Sequence, residues 1–350
     1  SKLRKNKSTD YIQANYLNEE YSKDFTHGEI SKRSKDDYKN NEQNTNDADV
    51  LLVVDIHNIS WKSYYSPVQD EHLVNGYPTY HQYIALNKLS LCIEYIFENH
   101  KNKKLCLVFS QDEYCENKKK LFPEYKSGRN KECRKYMVET KDGFTEKEVN
   151  PVNDTSKALS FLPHCKISIP TKDAETDDII ATFCKRYSEK EIYIESSDKD
   201  LWQLRSKSVH LIYSENPLTI LTKDIVLKKF YNKDNRLIPL IKTLIGDASD
   251  KLVGVSRFPR KLIKQFSYDN YKGKIKKGLS YVRAIAQTDS VKQKIDKDFD
   301  RLVKLHSIVK LNKHLSIKEE YIEGDYSSFK KFLKKRKIKQ PRILTLWILG

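Results

Sequence analysis

Apolar residues first gather at Val50-Leu51-Leu52-Val53-Val54, a run that stops at Asp55. A short, unbroken, β-rich run of this kind predicts a strand buried on both faces. Residues 79–99 then set Tyr83, Leu86, Leu89, Ile93 and Ile96 at helical spacing, which predicts an amphipathic crossover helix. The strand pattern returns at 105–109 and leads to Asp112. Residues 113–150 are charged and predict a mobile helical or loop region. Residues 155–162 read as a helix stopped by Pro163, and 165–169 as a third strand. A helix over 174–187 and a strand over 191–196 follow, with Asp198 just past the strand. From Pro239 the pattern changes to short basic helices: 241–245 closes at Gly246, and a basic turn and helix carry Arg257, Arg260, Lys261 and Lys264. Residues 281–340 alternate helical charge with apolar positions and end in a very basic stretch, 330–339.

Strands alternating with helices imply an α/β fold with a mostly parallel sheet and right-handed crossovers. Asp55, Asp112 and Asp198 all fall at or just past the C-terminal ends of their strands, the edge where open parallel sheets bind ligands. Glu175 and Asp177 fall in the first turn of a helix, whose dipole favours anions there. Over residues 173–204 five carboxylates (Glu175, Asp177, Asp178, Asp198, Asp200) flank one helix and one strand. Gathered carboxylates raise one another's pKa unless a cation sits among them, so metal binding is the sharpest reading. Taken alone, Asp177 and Asp178 are equally a solvated helix start.

Charge adds a partner to this picture. The 350 residues carry a formal charge of +17, and 38% are hydrophobic, enough for a real core. Residues 1–49 hold nine Lys and Arg against ten Asp and Glu, so the basic excess belongs to the remainder. Such a field points to a polyanion, most simply nucleic acid. Residues 1–48 are polar and charged with isolated aromatics, and read as a flexible tail. Six cysteines (Cys92, Cys106, Cys115, Cys133, Cys165, Cys184) form no C-x-x-C pair and read as reduced, buried thiols of an intracellular protein. No 18-residue apolar run exists, and the charged first residues suggest neither a membrane span nor a secretory signal.

Five motifs in order then carry a resemblance. They are the strand ending in Asp55; Asp112 followed by Tyr125-Lys126-Ser127-Gly128-Arg129; Glu175-Thr176-Asp177-Asp178-Ile179; Ser197-Asp198-Lys199-Asp200-Leu201-Trp202-Gln203-Leu204; and Gly246-Asp247-Ala248-Ser249-Asp250. Together they make residues 50–266 resemble the 5′ nuclease family (flap endonucleases and 5′-to-3′ exonucleases, phage ribonuclease H-like members included), in the bacterial and bacteriophage style. The resemblance implies a PIN-like core over 49–235 with a helical arch at 113–150. It also implies a helical DNA-binding region over 236–340, opened by a helix–three-turn–helix motif; 341–350 stay unassigned.

The same resemblance implies two Mg²⁺ ions, with Mn²⁺ as substitute. Asp55, Asp112, Glu175, Asp177 and Asp178 would surround the first, and Asp198, Asp200, Asp247 and Asp250 the second. A ring of carboxylates suits a hard cation that keeps several waters, and two such ions suit phosphodiester hydrolysis. Lys126 and Arg129 match basic residues lying over the scissile phosphate, where positive charge offsets what develops in the transition state. Tyr125 matches a base-stacking position, Lys242 a phosphate-facing lysine, and Lys118 and Lys119 a phosphate-tracking surface. The family's second glycine-rich piece stands here as Gly254-Val255-Ser256-Arg257-Phe258-Pro259. That departure leaves the tight approach to a duplex phosphate, and a K⁺ held by those carbonyls, without sequence support; Arg257, Arg260 and Lys261 offer side-chain contacts instead.

The expected function is a structure-selective 5′ nuclease acting at a flap, nick or single-strand/duplex junction of DNA, or on an RNA–DNA hybrid, beside replication proteins. The rival readings are a non-catalytic nucleic-acid-binding subunit of a viral replication or transcription complex, and a PIN-type ribonuclease. Paired Asp247 and Asp250 after a helix favour the flap-type enzyme over the latter.

Overall fold

A computed structural model describes residues 45–66, 73–74, 77–111, 116–127, 134–140, 142–162, 165–170, 174–215, 218–322, 324–338 and Leu344. Asp112 and Arg129, the tail up to residue 44 and nearly all of the 341–350 end lie outside them. The architecture is α/β, a mostly parallel sheet flanked by helices. The chain divides into two compact units, one formed by residues up to 109, 131–167 and from 319 on, the other by 110–130 and 168–318.

In the first unit the strand Val50–Asp55 is buried along its whole length. Its aliphatic side chains leave water on both faces, as the unbroken run predicts. Asp55 ends the strand and caps the next helix, Ile56–Tyr64, by accepting a hydrogen bond from the Asn58 amide at 2.9 Å. The helix Tyr80–Asn99 runs 20 residues and packs against Ile56–Tyr64 and Pro151–Leu159. Leu105–Ser110 is the second fully buried strand. The helix expected over 155–162 begins earlier, at Pro151, because Asn150 caps it: its side chain accepts from the amides of Val152 and Asn153, both at 3.1 Å. Proline at a first helical position loses no bond the helix would have made.

The charged segment 113–150 departs from its expected helical or loop character. Its described part holds one short helix, Asn117–Leu121, and then an antiparallel hairpin that pairs Arg134–Thr140 with Gly143–Val149. Asp142 lies in the turn, and Gly143 opens the second strand opposite Thr140 at φ +116°, a conformation that side chains resist. The β-formers Tyr136, Val138 and Thr140 stand among Arg134, Lys135 and Glu139, and this density of charge hid a strand.

In the second unit Glu191–Glu195 runs parallel to Val209–Glu215, which pairs antiparallel with Leu218–Ile220. Thr176–Arg186 is the helix expected over 174–187. Ile238–Ile245 starts three residues before its sequence-read boundary, with Pro239 in its first turn, and stops at Gly246, whose φ of +80° ends the helix. Further helices cover Ile275–Ile285, Asp289–Lys297 and Phe299–Val309. A strand, Ile317–Ile322, most of which belongs to the first unit, interrupts the expected run of helices.

Cys92, Cys106 and Cys184 are buried and take part in no disulfide, as expected. No helix of the described residues is long and apolar enough to cross a membrane.

Candidate active site

Local rules place the acidic side chains of the second unit. Glu175 is the N-cap of Thr176–Arg186, and Asp177 and Asp178 lie in that helix's first turn, where the helix dipole favours negative charge. Asp198 follows the strand Glu191–Glu195, and its Oδ1 accepts a hydrogen bond from the Asp200 amide at 2.8 Å. That Asx turn starts the 3₁₀ helix Asp200–Leu204 and holds both carboxylates to one bend. Asp247 does the same for Ala248–Asp250, accepting from the Ser249 amide at 2.9 Å.

These bends bring the acids together in two overlapping groups. Carboxylate oxygens of Asp177, Asp198 and Asp200 lie within 4.8 Å of one another, and so do those of Asp200, Asp247 and Asp250. Asp200 belongs to both. The grouping differs from the one the resemblance implies, because Asp177 sides with Asp198 and Asp200 rather than with Glu175 and Asp178. Every donor is a carboxylate oxygen, with neither sulfur nor imidazole present, which fits a hard divalent cation.

Ammonium groups already occupy parts of this acidic surface. Lys118 Nζ lies 2.6 Å from Glu175 and 3.0 Å from Asp178, and Lys126 Nζ lies 2.8 Å from Glu175. Burial alone would raise the Glu175 carboxyl, but Lys118 and Lys126 outweigh it and hold it at about 2. Burial works against the charge on Lys118, yet Asp178 and Glu175 push its pKa up. Lys242 pairs with Asp200 and, at 2.5 Å, with Asp247. Burial pushes the Asp200 carboxyl up to about 6, against the pull of Lys242 and with the push of Asp198 and Asp250. Asp247, whose burial is likewise overcome by Lys242 and by hydrogen bonds from Ser249, sits at about 2.

Several basic and aromatic positions therefore differ from expectation. Tyr125, matched to a base-stacking position, is only 4% exposed. Its hydroxyl donates to Glu175 at 3.0 Å, so the ring is spent on orienting a carboxylate. Lys118 and Lys242, matched to phosphate contacts, are engaged with carboxylates, and Lys119 is half-buried. Arg257, Arg260 and Lys261 are exposed; Arg260 donates to the Tyr231 hydroxyl at 2.8 Å. Asp55 belongs to the first unit, where it caps its helix. Asp112 and Arg129 lie outside the described residues.

The loop after Gly246 keeps a tight backbone despite its altered sequence. Asp247 and Leu252 exchange two 2.8 Å backbone hydrogen bonds, and the Val255 amide donates to Leu244 O at 2.7 Å. A Cβ on Gly254 would stand 2.4 Å from both Gly246 N and Leu244 O, so only glycine fits. The Lys126 amide donates to Asp250 O at 3.1 Å, tying the basic segment to this loop.

Two contacts had no signal in the pattern. The Asn312 amide donates to Asp178 Oδ1 at 2.8 Å, and Arg301 donates to Val253 O at 2.5 Å and to Gly254 O at 3.1 Å. Both partners lie far along the chain inside ordinary helical or loop sequence.

Comparison with known proteins gives relatives in sequence and in fold. The 5′-3′ exonuclease of Mycoplasmopsis pulmonis is 32% identical over 149 residues, 42% of this chain and 49% of that protein. The chain thus matches about half the length of that relative. The 5′-3′ exonuclease of Buchnera aphidicola is 26% identical over 233 residues, 65% of this chain and 76% of its own. Among solved structures, the bacteriophage T5 5′-exonuclease with bound zinc superposes with a TM-score of 0.52 at 14% identity, covering 83% of this chain and 99% of that one. A T5 flap endonuclease in complex with DNA and metal ions gives 0.51 at 12% identity, covering 75% and 89%. At such identities the likeness is one of fold. The model of the 5′-3′ exonuclease N-terminal resolvase-like domain matches residues 50–231, and with more than half of the chain so matched, this protein belongs to that 5′-3′ exonuclease family.

Proposed function

We propose that the protein is a divalent-metal-dependent, structure-selective 5′ nuclease. It hydrolyses phosphodiesters near the junction of a 5′ single-stranded flap or end with duplex DNA, and of RNA–DNA hybrids, in replication and repair. The observation that carries this reading is the pair of carboxylate groups sharing Asp200, each partly withdrawn from solvent. Their donor set supports two Mg²⁺ ions, or Mn²⁺ in their place, with Asp177, Asp198, Asp200, Asp247 and Asp250 as holders. Glu175 and Asp178 act beside them, and the resemblance adds Asp55 and Asp112.

Bound cations of this kind polarise phosphoryl oxygens and lower the pKa of water. The chain's own residues do the rest. Tyr125 and Asn312 orient Glu175 and Asp178, while Lys126, with Arg129, meets the phosphate. Exposed Arg257, Arg260 and Lys261 follow the duplex backbone. Contacts of that sort position nucleic acid without reading its sequence.

The test is cleavage of labelled 5′-flap, nicked and single-stranded substrates in Mg²⁺, beside Asp198→Asn. The expected result is metal-dependent cleavage near the junction, lowered at least about 100-fold in the variant. Absence of cleavage, or equal cleavage by the variant, overturns the proposal. Cutting of RNA with flaps left intact selects a ribonuclease instead.

A further inference from the structure

One ammonium group stands inside the carboxylate surface and joins two acids from different elements. Lys242 comes from the last turn of Ile238–Ile245 and is 7% exposed. It reaches Asp200, at the head of one 3₁₀ helix, and Asp247, which caps another; its Nζ lies 2.5 Å from Asp247 Oδ2. Asp200 is the residue common to both carboxylate groups, so Lys242 occupies the acid that either group needs. Its neighbours Ile241, Thr243 and Leu244 are fully buried, which fixes the backbone from which the stem rises.

Carboxylates held this closely do not all stay ionised unless a cation is among them. A lysine ammonium supplies one positive charge as a compact point on a flexible four-carbon stem, so it can neutralise the site and can also leave it. A divalent cation on the same oxygens supplies two charges, and the two cations repel one another at contact distance.

We propose that Lys242 is a resident counterion, which a divalent cation displaces from Asp200 and Asp247 as it enters. The proposal rests on reading these carboxylates as a metal site. It has two consequences. The pocket stays assembled when no metal is bound, because Lys242 supplies the missing charge. Displacement then frees an ammonium beside the carboxylates, where it can pair with a phosphate oxygen, so cation loading and phosphate binding are linked by one side chain.

The test is binding of Mn²⁺ and Ca²⁺ to the full chain without nucleic acid, read by calorimetry and by the shift in melting temperature. Lys242→Met is compared with Lys242→Arg and the parent. The expected result is that Lys242→Met binds cation about tenfold more tightly, since it no longer has a competitor to expel. Its metal-free form melts below the parent and gains more on cation addition. Lys242→Arg keeps the charge and shows no tightening. The proposal is overturned if Lys242→Met binds no tighter than the parent, or if Lys242→Arg tightens as much as Lys242→Met. Should Lys242→Met be unfolded without cation, added Mn²⁺ restores a cooperative melt; failure to do so also overturns it. Because no substrate is present, the outcome is separate from whether the protein cleaves nucleic acid.

Discussion

Around Glu175 and Asp200 the second unit withdraws carboxylates from water and sets Lys118, Lys126 and Lys242 among them. At Tyr271 and His306 the same unit buries a phenol and an imidazole with no ion pair between them. A 2.5 Å hydrogen bond joins the Tyr271 hydroxyl to His306 Nε2. Burial, and then the nearby Lys310, pushes the His306 imidazole down to about 4, so it is neutral at ordinary pH. Burial, helped by Tyr268, pushes the Tyr271 phenol up, so it keeps its proton. The difference teaches what each region is for. A neutral buried pair meets its hydrogen-bonding needs internally and asks for no partner. A charged buried cluster is a more costly arrangement, justified where an exchange of cations is part of the work.

Three experiments probe that contrast. The largest effect is expected from Lys118→Met, which leaves Glu175 and Asp178 with less compensating charge. Removing one partner of a buried network predicts a loss of about 3 kcal/mol in urea unfolding, partly recovered when Glu175→Gln is added. A loss under about 1 kcal/mol would place Lys118 with ordinary surface pairs and break the comparison.

Acidification comes next. His306 has its folded pKa depressed to about 4 from 6.5, so between those values the unfolded chain binds the extra proton. Its contribution is intact above pH 6.5 and is lost as pH falls from 6.5 to 4, up to roughly 3 kcal/mol. Urea midpoints of the parent and His306→Gln over this range check it. The variant is expected to lack that portion of the slope, and an identical slope would show that His306 is not the titrating group.

The smallest effect belongs to Arg260→Ala on the exposed basic face. Duplex affinity should fall only a few-fold, and the dependence of log affinity on log salt should flatten by about one. An unchanged salt slope would remove Arg260 from the nucleic-acid contact.

Much of the site was legible residue by residue. A short aliphatic run ending in Asp announces a buried strand with a carboxylate at its end, because burial on both faces and the chain's exit to solvent are local events. Asp55 follows that rule, and Asp198 lies three residues beyond the end of its own strand. Asp177, Asp178 and Asp247 sit where helix starts favour anions, also a local preference. The hairpin Arg134–Val149 escaped the expectation of a helical or loop segment, because a high density of charge surrounds its β-formers and no clean period of two survives.

The sequence by itself thus determined which acids exist, the α/β alternation that carries them and the turns that aim them. Only the tertiary structure decided how their charges are balanced. Lys118 and Lys126 reach Glu175 across 57 and 49 residues, and Lys242 reaches Asp200 across 42. A lysine's composition and helical position say that it is charged, not whether its ammonium faces water, a phosphate or a buried carboxylate. That choice depends on which segments are packed together, because the energy of an ion pair is set by distance and by the water it excludes, and neither is a property of the residue alone.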